Sequence, residues 1–161
     1  MYDKKLTKTY SKEGAKPKLE KYCAYQERSH KQVFDKCRSY GLSESDSNEI
    51  LVELIQSNFL NEERFVEAYV KGKFKIKSWG KQKISQGLKL AGINQKLISS
   101  SIQEIKFEDY IKTIQRLAEK KMKTLKEGTD FEKKIKTQRY LLSKGYSFDE
   151  VNKALNMEEY L

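Results

Sequence analysis

A glycine-centred pentapeptide occurs three times along this chain, as Ser39-Tyr40-Gly41-Leu42-Ser43, Leu90-Ala91-Gly92-Ile93-Asn94 and Ser143-Lys144-Gly145-Tyr146-Ser147. The glycines lie 51 and 53 residues apart. In each copy an apolar residue stands four positions earlier (Cys37, Leu88, Leu141), another follows directly (Leu42, Ile93, Tyr146) and a third lies ten later (Leu51, Ile102, Leu155). Gly favours the left-handed turn that ends a helix, and a Ser or Asn two positions on can cap the next helix through its side-chain oxygen. The pattern predicts a helix, a turn and a helix, three times over, and such internal repetition constrains the architecture before any other feature does.

A repeat near 50 residues in a 161-residue chain divides it into small units, each marginal alone. With 37% hydrophobic and 35% charged residues, the chain can bury thin helix-to-helix seams but not one large core. The single Pro, Pro17, stands at the head of the first periodic stretch, and the remainder is rich in Lys, Glu, Leu, Ile and Gln, which helices accept. The expected fold is all-α: three tandem three-helix units, helix-turn-helix-like, in an elongated, curved body. The boundaries expected are a basic mobile tail over 1–16, unit one over 17–59, unit two over 60–106 and unit three over 107–161.

Helical spacing supports nine helices. In unit one, Leu19, Tyr22, Cys23 and Tyr25 or Gln26 start the pattern, Ser29 with Gln32 forms a capping box before Val33, Phe34, Cys37 and Tyr40, and Ile50, Leu51, Leu54 and Ile55 make the third stripe. Unit two opens with Asn61 as a cap and continues through Phe65, Tyr69, Gly72 or Lys73, and Ile76. The stretch Lys71 to Lys77 also alternates like a strand, but a lone strand has no partner among helices, so helix is preferred. Trp79-Gly80 breaks the pattern; Ile84 and Leu88, then Leu97, Ile98, Ile102 and Ile105, complete the unit. Unit three runs through Phe107, Tyr110, Ile111, Ile114, Leu117 and Ala118, a Gly128-Thr129-Asp130 turn, Phe131, Ile135, Tyr140 and Leu141, and a capping box at Ser147 and Glu150 before Val151, Ala154 and Leu155.

No apolar run approaches the roughly 20 residues that cross a bilayer, and Met1 to Gly14 lacks a signal-peptide core, so a cytoplasmic protein with no membrane role is expected. Cys23, Cys37 and the single His30 match no metal spacing and read as reduced packing residues and a solvated first-turn histidine. No phosphate-cradling Gly loop, nucleophile motif or His/Cys cluster is present, and no enzyme, cofactor or metal is expected.

The chemistry lies in charge. From Ala68 to Gln103 there is no Asp or Glu, while Lys71, Lys73, Lys75, Lys77, Lys81, Lys83, Lys89 and Lys96 supply eight positive charges, so most of the net +10 sits in the middle unit. On a helix Lys71 and Lys75, then Lys73 and Lys77, stand one turn apart and repel unless an anionic partner relieves them. Such a run is most often a solubilising face. The lack of interleaved acids, and Trp79 beside the run as a ring able to stack or to hold the helix junction, favour a polyanionic partner, nucleic acid or an acidic protein surface. The candidate contact set is Lys71, Lys73, Lys75, Lys77, Trp79, Lys81, Lys83 and Lys89.

Asn61-Glu62-Glu63-Arg64-Phe65-Val66-Glu67-Ala68-Tyr69-Val70, with Lys71 and Lys73, then Trp79-Gly80-Lys81-Gln82-Lys83-Ile84 and Leu88-Lys89-Leu90-Ala91-Gly92-Ile93, resembles the central signature of the RecX family of bacterial regulators of the RecA recombinase. Arg28-Ser29-His30-Lys31-Gln32 resembles the start of that family's second helix, and the likeness runs from about Leu19 to Leu155. The resemblance implies three tandem three-helix units in a non-catalytic cytoplasmic protein. It implies binding to RecA filaments on DNA, in the helical groove, with restraint of strand exchange, ATP hydrolysis and repressor cleavage in DNA repair and the SOS response. Single- or double-stranded DNA would then be bound weakly or within the filament, by a monomer. Two departures stand out: the basic tail is outside the family pattern, and an acid common after the Trp-Gly break is replaced around Gln86-Gly87, leaving this face more cationic. The competing reading is a stand-alone, non-specific DNA-binding module acting without the recombinase; a scaffold for some other protein is a third.

Overall fold

A computed structural model describes residues 8–157 of the chain. Nine helices follow one another among them: α1 (Lys12–Tyr25), α2 (His30–Ser39), α3 (Glu44–Gln56), α4 (Glu62–Lys75), α5 (Lys81–Leu90), α6 (Gln95–Gln103), α7 (Phe107–Thr124), α8 (Asp130–Ser143) and α9 (Phe148–Leu155). No strand occurs among the described residues, and α4 runs through Lys71, Lys73 and Lys75 where alternation had offered a strand.

Local chemistry accounts for most helix ends. Ser29 accepts from the Gln32 amide at 3.2 Å while Gln32 Oε1 accepts from the Ser29 amide at 3.1 Å. Equivalent boxes close at Thr129 with Glu132 and at Ser147 with Glu150, Ser43 caps α3, and Asn61 Oδ1 accepts from the Arg64 amide at 2.9 Å. Gly41, Gly92 and Gly145 all have positive φ (81°, 82° and 95°), as the repeated pentapeptide requires.

Two expectations need correction. Helix α1 starts at Lys12, with Ser11 accepting from the Gly14 amide at 3.1 Å, so residues 12–16 are helical rather than tail, and Pro17 lies inside the helix. The cap and the burial of Ala15 and Leu19 offset the backbone bond that Pro17 cannot donate. Residues 1–7 of the expected tail lie outside the described residues. The second correction concerns exposure: Ile76 is 79% exposed and Phe107 72% exposed, because α4 ends at Lys75 and its buried stripe is Phe65, Val66, Val70 and Phe74, while Phe107 is the first residue of α7 and projects beyond its neighbours.

The chain forms two compact units. The first comprises residues 8–68 with Leu90–Asn94; there α1 packs on α2 and α3, and α2 on α3, around Ala15, Leu19, Cys23, Val33, Cys37, Leu42, Ile50, Leu54 and Leu60. The second comprises residues 69–89 and 95–157; there α7 packs on α8 and α9, and α8 on α9. Its centre is a row of rings, Phe74 to Tyr110 at 6.0 Å between centroids and Tyr110 to Tyr146 at 5.4 Å.

Within the second unit the start of α5 docks on the α8–α9 turn through backbone hydrogen bonds. The Gly80 amide donates to Lys144 O at 2.8 Å and the Gln82 amide to Gly145 O at 3.1 Å. A Cβ on Gly80 would stand 2.3 Å from Gly145 O, and one on Gly145 would stand 2.2 Å from Lys83 Cβ. Both glycines are needed for that approach. The first unit repeats the arrangement: a Cβ on Gly92 would meet Lys31 Cβ at 2.9 Å, and one on Gly41 would meet Thr9 Cγ2 at 2.9 Å, where the Tyr10 amide donates to Tyr40 O at 3.0 Å.

Candidate functional site

The lysine run falls on the second half of α4, the connection 76–80 and α5. Among the described residues, none of Lys71, Lys73, Lys75, Lys77, Lys81, Lys83 and Lys89 lies within 4.0 Å of a carboxylate. Lys71, Lys75, Lys77 and Lys89 are exposed. The other three are partly buried, and aromatic rings hold their heads. Lys73 Nζ lies 4.7 Å from the Trp79 ring centre and 5.3 Å from Tyr69; Lys83 Nζ lies 4.7 Å from Trp79 and donates to Ser143 O at 3.2 Å; Lys81 Nζ lies 4.6 Å over Tyr110. Two ammonium groups thus converge on one indole. Besides seating these two heads, Trp79 closes the end of α4 through its amide, which donates to Lys73 O at 2.9 Å.

The connection that carries Trp79 is held from several sides. Ser78 is buried and left-handed, with φ 54°, a conformation unfavourable for any side chain bearing a Cβ. Tyr146 donates its hydroxyl to Ser78 O at 2.9 Å, Arg116 donates to Ser78 Oγ at 3.0 Å and Lys144 Nζ donates to Lys77 O at 3.3 Å. Tyr110 Oη accepts from the Lys81 amide at 3.1 Å and donates to Glu150 at 3.1 Å. Burial raises the phenol pKa of both Tyr110 and Tyr146, so both remain protonated donors. Gly87 has a local reason of its own: a Cβ there would stand 1.9 Å from Tyr69 Oη, so the missing side chain lets α5 lie against Tyr69.

Of these supporting groups, Tyr146, Tyr110, Glu150 and Lys144 were marked in the sequence only as parts of a local stripe, cap or turn, and Ser78 and Arg116 not at all; their contacts here carried no signal, because the partners lie 29 to 68 residues away. The arrangement presents three ring-held and four exposed cations with no compensating acid, suited to an anion that spans several heads. Among the described residues no group of His, Cys, Asp or Glu could hold a metal ion, and no helix is long and apolar enough to cross a membrane. Cys23 and Cys37 are buried and unpaired to each other, and burial pushes each thiol up to about 11. His30 Nδ1 stands 3.6 Å from Glu62 at the start of α2.

Comparison with known proteins places this geometry. Residues 61–101 match the family model for RecX, second three-helix domain, and residues 108–155 that for RecX, third three-helix domain. The regulatory protein RecX of Bacillus licheniformis is 33% identical over 149 residues, covering 92% of this chain and 56% of its own length. That of Clostridium perfringens strain 13 is 32% identical over 139 residues, covering 83% of this chain. The chain spans 56% and 65% of the length of these two curated relatives. In fold it is similar to the crystal structure of RecX from Lactobacillus salivarius, with a TM-score of 0.80 at 24% identity over 93% of this chain and 97% of that one. A second crystal structure of a regulatory protein RecX superposes with a TM-score of 0.77 at 20% identity, over 91% of this chain and 74% of that one. Matched by two successive domain models, by curated relatives along most of its length and by an all-helical fold of the same kind, the chain belongs to the RecX family.

Proposed function

We propose that this protein is a non-catalytic, cytoplasmic, monomeric regulator that docks on RecA filaments assembled on DNA and restrains the recombinase. The observation that carries the reading is the acid-free set Lys71, Lys73, Lys75, Lys77, Lys81, Lys83 and Lys89, with Lys73 and Lys83 held on Trp79, together with family membership. A filament offers DNA phosphate and repeated protein surface side by side. Three successive groups of three helices, α1–α3, α4–α6 and α7–α9, supply several surfaces that such a filament can engage. Inhibition then needs no covalent step. Tighter binding to one filament state than to another hinders the motion that accompanies ATP turnover, or the addition of protomers.

The test is ATP hydrolysis by the cognate recombinase on single-stranded DNA with substoichiometric added protein. The expected result is a slowed rate with co-sedimentation of the protein and filaments; an unchanged rate without co-sedimentation overturns the proposal. The absence of any carboxylate within 4.0 Å of these lysines also favours the second reading, a stand-alone DNA-binding module. Tight binding to bare DNA at physiological salt, with no preference for filaments, would reverse the ranking.

A further inference from the structure

We infer that the first unit carries its own binding stripe for single-stranded nucleic acid, made of Tyr10, Tyr22 and Tyr40 with Lys18, Arg28 and Lys36. None of these residues belongs to the lysine set on α4 and α5, so the stripe stands independently of the function proposed above.

The stripe is continuous. Lys18 Nζ lies 4.9 Å over the Tyr10 ring; Tyr10 meets Tyr40 edge-on with centroids 4.9 Å apart; Lys36 Nζ lies 5.1 Å from Tyr40 and 5.7 Å from Tyr22; and Arg28 lies 3.8 Å over Tyr22. Each of the three tyrosines is packed on one side against the core of the unit, which fixes the ring as a platform. Cations cover the rings on the outer side. The long Lys18 and Lys36 side chains move aside readily, while the Arg28 guanidinium also donates to Tyr22 O at 3.3 Å; a cation over an exposed ring contributes only a few-fold in equilibrium terms, whereas a base stacked on a fixed ring contributes roughly five- to 150-fold. A base can therefore replace the cation on the ring while the displaced head takes the adjoining phosphate.

Four of the unit's other cations, Lys12, Lys16, Lys31 and Arg64, are each paired with a carboxylate, on Glu49, Glu53, Asp35 and Glu27, while Lys8, Lys21 and Arg38 are not, among the described residues. Among the described residues, Lys18, Arg28 and Lys36 are not within 4.0 Å of any acid. Beside Tyr22 and Lys36 the surface opens into a shallow groove of about 340 Å³ that Gln32, Asp35 and Ser39 also line, room for a base edge and its sugar. Asp35 is drawn to Lys31 by an ion pair 2.5 Å long. Alternating rings and cations that have no acid partner suit a flexible strand with unstacked bases. In a duplex the bases are stacked on one another and offer such rings nothing.

The experiment titrates the full-length protein against labelled oligothymidylate and against a labelled duplex across salt concentrations. Tyr22→Leu keeps apolar packing and removes the aromatic face; Lys36→Ala removes a charge without touching the core. With melting curves like the parent's, Tyr22→Leu should weaken oligothymidylate binding about fivefold or more, and Lys36→Ala should flatten the slope of log affinity against log salt by about 0.7, with duplex affinity unchanged. Parent-like affinity and slope in both variants would overturn the proposal, as would equal weakening on single strand and duplex. Loss of filament binding in Lys71, Lys75 or Lys77 variants bears only on the proposed function, so the two ideas fail separately.

Discussion

At Gly80 a single methyl group decides whether α5 can sit on the α8–α9 turn. The Cβ of Gly80→Ala would fall 2.3 to 2.5 Å from backbone atoms of Gly145 and Tyr146, which cannot rotate away. The variant should lose about 1 to 3 kcal/mol in denaturant unfolding. Gly72, inside α4, has nothing within 4 Å of its missing Cβ, so Gly72→Ala should gain about 0.5 to 1 kcal/mol from helix propensity. Opposite signs from one chemical change would confirm that close approach, not glycine content, is what matters. The cysteines give a pH prediction. Burial raises both thiols from 9.0 to about 11, so between those values the unfolded chain releases protons that the folded chain keeps, and stability falls as pH rises through the window. The raised phenols of Tyr110 and Tyr146 act in the same direction. The melting temperature should decline from pH 9 toward 11. At about pH 8 a thiol reagent should modify Cys23 and Cys37 only as fast as the protein opens.

At the scale of elements, caps and turns rather than long hydrophobic stripes set the helix boundaries. Ser29 is fully buried and closes both bonds of its capping box, so Ser29→Ala should destabilise the first unit by about 1 to 2 kcal/mol, seen as a lowered denaturant midpoint with an unchanged slope. The box was legible in the sequence because Ser29 and Gln32 are three residues apart. The same holds for Ser147 with Glu150, whereas at Thr129 the Gly128-Thr129-Asp130 turn masked the box that Thr129 closes with Glu132. The early start of α1 was not legible, because Pro17 signalled a helix beginning and Ser11 cap chemistry competed with it. The exposure of Ile76 was missed for a related reason: helical spacing continued past Lys75, while the left-handed Ser78 turned the chain away.

For the molecule as a whole, charge is divided unevenly. Residues 1–68 hold 12 basic and 12 acidic side chains, so the whole net charge of +10 falls on residues 69–161. Replacing Lys71, Lys75 and Lys77 by Ala should leave the melting temperature at or slightly above the parent's, because like charges one helical turn apart are relieved. If the three meet phosphates, the slope of log affinity against log salt should flatten by about 0.9 per lost contact on duplex DNA and about 0.7 on single strands. Trp79→Ala should lower the binding affinity and stability together, since Lys73 and Lys83 both rest on its ring. Melting curves must therefore accompany its binding curves.

The sequence by itself determined the helix order, most of the caps, the three glycine turns and the acid-free lysine run, since all of these depend on residues close to one another along the chain. Tertiary structure alone decided which lysines are held and which are exposed. It also placed Tyr146 on Ser78 across 68 residues and Tyr110 on Lys81 across 29, and gathered Tyr10, Tyr22 and Tyr40 with their cations on one surface. The reason is physical: a cap or a helical face follows from short-range geometry fixed by the backbone period, whereas a contact between distant segments depends on how whole helices pack, and no local spacing encodes that.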